Sequence, residues 1–178
     1  MNRAEEPIAA STPEQRFERE AMPHLRELLG TATRMMGDRG QAEDVVQDVY
    51  VQAWKSFDRF ESGTNCRAWL YKILFYCVHH YRRKWFRLSI MRPMDDYTEA
   101  TAAYAPSIPE TLTDETLLAA LAKIPSDFRA AILLVDVEEF AYKEAAEILS
   151  VPIGTVMSRL SRGRKLMREL LSAKEAGR

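Results

Sequence analysis

Apolar residues recur every three to four positions along most of the chain, and no stretch offers a credible strand pairing. In "EQRFEREAMPHLRELLGTATRMM", residues 14–36, one stripe holds Leu25, Leu28, Leu29, Ala32 and Met36, and Pro23 either kinks this helix or marks its true start. "GDRG" breaks the chain. The helical period resumes in "QAEDVVQDVYVQAWKSF" through Val45, Val46, Val49, Ala53 and Trp54. After the turn-rich "DRFESGTN", the run "CRAWLYKILFYCVHHYRRKWFR" is too long for one strand and free of glycine and proline, which predicts a buried helix.

From 88 to 113 the chain brings three prolines, with serine, threonine and acids, and no sustained period. That composition reads as a flexible linker. "DETLLAALAKI" restarts helix with Thr113 or Asp114 as cap, Pro125 ends it, and "SDFRAAILLVDVEEF" follows with Ser126 as cap. "AYKEAAEILS" and "IGTVMSRLSRGRKLMRELLSAK" complete four helices. The expected fold class is all-α, with two small helical domains at 14–87 and 114–174 joined by the linker 88–113.

A chain of 178 residues with 47% hydrophobic and 29% charged residues has ordinary globular composition, and its formal net charge of -1 exerts no global pull on nucleic acid or membrane. Attraction of that kind must come from local clustering. Cys66 and Cys77 are too few for a disulfide scaffold, so a reducing compartment is expected. No apolar run approaches the roughly 20 residues that span a bilayer, and the first residues lack the apolar core of a signal peptide, so the expected location is cytoplasmic.

Local clustering is strongest in "VPIGTVMSRLSRGRK", with four basic side chains and no acid. A short amphipathic helix, a break at Ser150-Val151-Pro152 and a second helix from Ile153 give the order of a helix-turn-helix. On the second helix Val156, Leu160, Gly163, Met167 and Leu170 share an apolar stripe, while Thr155, Ser158, Arg162 and Lys165 lie opposite with Arg159 at the flank. One face suits a core and the other suits phosphates and base edges. A solvated basic face on a packing helix is the plainer alternative.

A second basic tract, "HHYRRKWFR", carries His80, Arg82, Arg83 and Lys84 with Tyr81, Trp85 and Phe86 interleaved. Such a tract can hold phosphates while offering rings to unstacked bases. Upstream, Asn65, Arg67 and Trp69 in "ESGTNCRAWL" are candidates to hold a flipped base, and Trp69 suits a core position equally well.

Cys66, Cys77, His79 and His80 raise a metal site, with Cys77 and His80 on one helical face, yet they lack a short Cys-x2-Cys or His-x3-His pair; no metal and no cofactor are expected. No glycine-rich phosphate loop or convergent acid pair points to an enzyme. A helix-turn-helix regulator acting as a dimer remains the rival function, although such a regulator has no use for the tract at 79–87.

Taken together, "AEDVVQ", "RAWL" and "VPIGTVMSRLSRGR", in this order and at these separations, resemble the extracytoplasmic-function (ECF) sigma factors of the sigma-70 family. The resemblance implies a factor that directs core RNA polymerase to promoters. It implies that Asp44, Gln47, Asp48 and Trp54 lie on or beneath a face for the polymerase beta-prime clamp helices, and that the second domain meets the beta flap. It places Asn65 on the loop that captures a minus-10 base, with Arg67, Trp69, His80, Arg82, Arg83 and Lys84 in the same region. Thr155, Ser158, Arg159, Arg162 and Lys165 would meet the minus-35 element, and an anti-sigma factor is an expected partner. Ser150, Met157 and Gly163 depart from the family's common glycine, basic residue and alanine.

Overall fold

The computed structural model describes residues 12–90 and 114–176, with 84–90, 114–115 and 173–176 as backbone only. The linker expected at 88–113 lies outside these residues from 91 onward. All regular structure among the described residues is helical.

Helix α1, Pro13–Ala21, starts on a capping box: Gln15 N–H donates to Thr12 Oγ1 and Thr12 N–H donates to Gln15 Oε1. The single helix expected over 14–36 is two. Pro23 sits in a 3₁₀ turn, Met22–His24, because proline removes a backbone donor and crowds the preceding turn, and α2 runs Leu25–Met36 beyond it. Gly37, at φ 76°, closes α2 in the left-handed conformation. Asp38 then caps α3, Arg39–Ser56, by accepting from Gln41 N–H at 2.8 Å. After a 3₁₀ turn at Phe57–Arg59 and a loop, α4 runs Cys66–Ile90, past the end expected at residue 87.

In the second half α5 spans Asp114–Lys123 and α6 spans Ser126–Ile132. Ser126 is not the cap: Pro125 takes that position, with its φ already at -51°, and its carbonyl receives the Phe128 and Arg129 N–H groups. The chain then widens into a π-helical turn, Leu133–Val137, so the helix expected through Phe140 stops early. Helices α7, Tyr142–Leu149, and α8, Ile153–Ala176, follow.

The two halves share one continuous core. Leu28, Ala32, Val45, Val49, Leu70 and Leu74 fill the first half, and Ala131, Leu134, Ala145, Ile148, Val156 and Leu160 fill the second. Helix α2 packs on α5 and α6, and α4 packs on α7. Each large apolar side chain so buried contributes roughly 1.5–3 kcal/mol. Gly163 sets how close α8 comes to α6, since a Cβ there would stand 2.8 Å from Ile132 Cδ1 and 3.2 Å from the Phe128 carbonyl oxygen.

Candidate nucleic-acid interface

The α7–α8 corner is built by backbone hydrogen bonds. Ser150 takes the left-handed conformation at φ 54°, Val151 N–H reaches back to the Ala146 carbonyl at 3.0 Å, and Thr155 N–H bonds the Pro152 carbonyl at 2.9 Å. This is a helix-turn-helix, and the inward stripe of α8 is as expected: Val156, Leu160 and Gly163 are buried.

The outward face is rotated slightly from the expected one. Thr155 and Arg159 are half-buried, and Arg159 donates to Asp127 Oδ2 at 2.6 Å, which draws it toward the start of α6. Ser158, Ser161, Arg162 and Lys165 are exposed, with Ser158 Oγ donating to the Thr155 carbonyl and Lys165 3.9 Å from Glu169. Arg164 is held bidentately by Asp136 at 3.0 and 2.5 Å, and the resulting hydrogen bonds raise its pKa above the ordinary arginine value. Arg162 has no partner among the described residues, so its five donors are open to solvent. Ser161 was not a candidate from the sequence, although it falls one turn from Ser158 and Lys165.

The seven residues assigned to the minus-10 element do not come together. Asn65 and Arg67 stand at the start of α4, whereas Arg82 and Arg83 are exposed some four turns on, about 23 Å along the axis. Lys84's side chain lies outside the described set. His80 is exposed and stacks near Tyr76, ring centroids 6.4 Å apart. Tyr76 was missed: it is 67% exposed and shares a helical stripe with His79, His80 and Arg83, a pattern the spacing i, i+3, i+4, i+7 already contained. Trp69 is half-buried, with its ring centroid 4.8 Å from that of Phe60 and 6.3 Å from that of Phe57. The Cys66 and Cys77 thiols are pushed up to about 11, mainly by burial, so both stay protonated near neutrality.

Asn65 and Arg67 are engaged by the second half. Asn65 Oδ1 caps α4 by accepting from Ala68 N–H at 3.0 Å, and its Nδ2 donates to Glu144 Oε1 on α7 at 3.0 Å. Arg67 donates to both Glu27 oxygens at 3.1 Å, to the Glu138 carbonyl at 2.9 Å and to Glu138 Oε2 at 2.8 Å. Its guanidinium also lies 4.2 Å from the centre of the Phe140 ring. Burial opposes the charge of Arg67, but the hydrogen bonds and charges of its acidic partners prevail and its pKa is raised. Thr31 Oγ1 occupies the other Glu138 oxygen at 2.6 Å.

Arg129 forms a second bridge across the same seam. It donates to the Met35 carbonyl at 2.9 Å and the Arg34 carbonyl at 3.5 Å, at the end of α2, and to the Ile124 carbonyl at 3.0 Å and the Ala122 carbonyl around the end of α5. Those carbonyls form the negative ends of two helix dipoles. Burial first, and then the charge of Arg82, lowers the Arg129 pKa, yet a guanidinium keeps its proton under such a shift. No motif announced this residue.

The outer face of α3 carries Asp44, Gln47 and Asp48, all exposed, beside Trp54 at 44% exposure. The edge of Trp54 meets Phe17, centroids 5.2 Å apart. Val51, also 44% exposed, extends this acidic and apolar face and was not singled out from the sequence.

Two helical units, the second a helix-turn-helix with an open basic face, define a nucleic-acid-binding protein. The Sigma-70 region 2 family matches residues 21–87 and the Sigma-70, region 4 family matches residues 114–167. The ECF RNA polymerase sigma factor EcfG of Rhodopseudomonas palustris is 32% identical over 157 residues, 85% of this chain and 81% of that protein. The sigma factor RpoE of Bartonella quintana, solved in complex with the anti-sigma factor NepR, superposes with a TM-score of 0.70 at 33% identity, covering 88% of this chain and 97% of that one. CnrH, solved with the cytosolic domain of CnrY, gives 0.62 at 26% identity over 90% of each chain. The chain belongs to the ECF sigma factors of the sigma-70 family, transcription initiation factors that direct RNA polymerase to promoters. The dimeric regulator receives no support from these matches. Among the described residues no helix is long and apolar enough to cross a membrane, and no three His, Cys, Asp or Glu gather as metal ligands.

Proposed function

We propose that the chain docks on the clamp helices of core RNA polymerase through the exposed α3 face of Asp44, Gln47, Asp48, Val51 and Trp54, and reads two promoter elements with separate helices. On this reading Ser158, Arg162 and Lys165 enter the minus-35 major groove, with Thr155 and Arg159 fixing the angle of α8. Tyr76, His80, Arg82 and Arg83 contact the minus-10 strand. Asn65 and Arg67 join them only once the second half withdraws Glu144 and Glu138, because one guanidinium cannot fill both sites. The observation that carries the reading is the pair of basic, solvent-facing helix surfaces, one in each half. A single-site regulator needs one.

The sigma factor works in the cytoplasm, beside polymerase and chromosome, and has no catalytic step of its own. An anti-sigma factor completes the partner set: RpoE and CnrH, its structural relatives, were solved with NepR and the cytosolic domain of CnrY. Run-off transcription with core polymerase lacking other sigma factors tests the assignment, and promoter-specific product is expected only when the chain is added. Asp48→Lys should abolish capture of core polymerase in a pull-down while leaving the helical circular dichroism unchanged. Full capture by that variant would remove α3 as the docking face.

A further inference from the structure

The first turns of α8 carry two apolar side chains in water on an otherwise cationic surface. Ile153 is 49% exposed and Met157 is 51% exposed, one helical turn apart. Tyr142, 38% exposed, joins Met157 from α7 in lining a shallow groove whose other walls include Ser161, Arg164 and Arg168. Among the described residues nothing covers the pair, yet neither side chain is needed to fill the core, where Val156 and Leu160 do that work at 0% and 2% exposure.

The surrounding charge narrows the occupant. Arg162, Lys165 and Arg168 are exposed close by, and the nearby acids are already engaged, Asp136 by Arg164 and Glu169 by Lys165 at 3.9 Å. A polyanion is favoured here, and its surface must also present something apolar. The duplex major groove does so: the thymine C5-methyl projects among polar base edges, and side-chain carbon is its natural partner. The first turns of a recognition helix are the part that reaches the bases. Methionine is unbranched and has three rotatable bonds, which lets it settle on a methyl whose position varies with groove width.

We propose that Met157, backed by Ile153, is a specificity-determining residue that packs on a thymine methyl group in the minus-35 element. The inference rests on the reading of α8 given above. Met157 thereby trades a phosphate or base hydrogen bond, which a basic residue there would make, for discrimination between thymine and cytosine. Salt dependence should fall on Arg162 and Lys165, and sequence preference should fall on Met157.

The probe is a pool of duplexes with a randomised central segment, selected by the full-length chain, in which both side chains are accessible. The selected site is then resynthesised with deoxyuridine replacing each thymine in turn, which removes only the methyl group. One or two positions should lose affinity about fourfold, the worth of one buried methyl-sized group. The loss should vanish in Met157→Ala, and Met157→Lys should bind more tightly at low salt with a relaxed preference at those positions. A flat deoxyuridine scan, or one that Met157→Ala leaves unchanged, overturns the proposal and turns the patch into a candidate protein contact. If such a flat scan coincides with weaker binding by Arg162→Ala, DNA reading by α8 stands without the methionine. If no sequence is selected and Arg162→Ala changes nothing, both readings fail.

Discussion

Asn65 and Arg67 at the start of α4, and Ser158 and Arg162 on α8, each pair a neutral polar residue with an arginine on helices of similar length, yet the structure treats them in opposite ways. The first pair is tied to Glu144 and to Glu27 and Glu138, three carboxylates of which two come from the other half of the chain. The second pair faces water, and Arg162 has no partner among the described residues. The difference lies in whether an acid from the far half stands within reach. A basic residue is therefore not a nucleic-acid ligand by type alone; an internal carboxylate can hold the position that a phosphate would take. The seam engages the Asn65 and Arg67 side chains while leaving Ser158 and Arg162 facing water.

The strongest test of that contrast is Arg129. Arg129→Met strips several buried carbonyls of their donor and should cost about 3 kcal/mol or more, read as a lower urea midpoint at unchanged slope. A change near zero would show that the seam is not held by this guanidinium. Next is Arg67→Ala, which leaves the Glu138 carboxylate without its charged partner and should cost about 2 kcal/mol. Combined with Glu138→Ala, the double-mutant cycle should return a coupling of about 1–2 kcal/mol, and small-angle scattering should report a larger radius of gyration as the halves part. Additive losses with no expansion would mean that the pair does not latch the halves. The smallest effect on folding belongs to Arg162→Ala, within about 0.5 kcal/mol of the parent. The same variant should weaken binding to a selected minus-35 duplex by about 1–3 kcal/mol in fluorescence anisotropy, and a folding loss as large as that of Arg67 would dissolve the distinction.

Periodicity made the helices and the inward stripe of α8 legible, because Val156, Leu160 and Gly163 repeat at the helical angle and each is decided by local pattern. The seam was not legible for the same reason. Arg67 and Glu138 lie 71 residues apart, and no local pattern pairs them. Arg129 falls on the buried stripe of α6, where an arginine reads as an interruption until the carbonyls of α2 and α5 are seen to surround it. Trp69 was divided between core and base in the sequence, and its place beside Phe57 and Phe60, on separate elements, is what no local pattern could supply. Ser126 misled because a serine before an apolar run is a common cap, whereas the proline ahead of it had already set the backbone.

The shared core and the Arg129 bridge also bear on how the chain comes apart. If the first half unfolded alone, Arg129 would lose the Arg34 and Met35 carbonyls, and the apolar surfaces of α5, α6 and α7 that now meet α2 and α4 would be wetted. Both losses fall on whichever half stays folded, so a half-unfolded chain is penalised twice. Heating should therefore give one calorimetric peak, with calorimetric and van't Hoff enthalpies in agreement, although the chain has two helical units. Amide exchange would carry the same signature: the slowest protons on α2, α4 and α6 should share one opening free energy and exchange together, as a single cooperative unit.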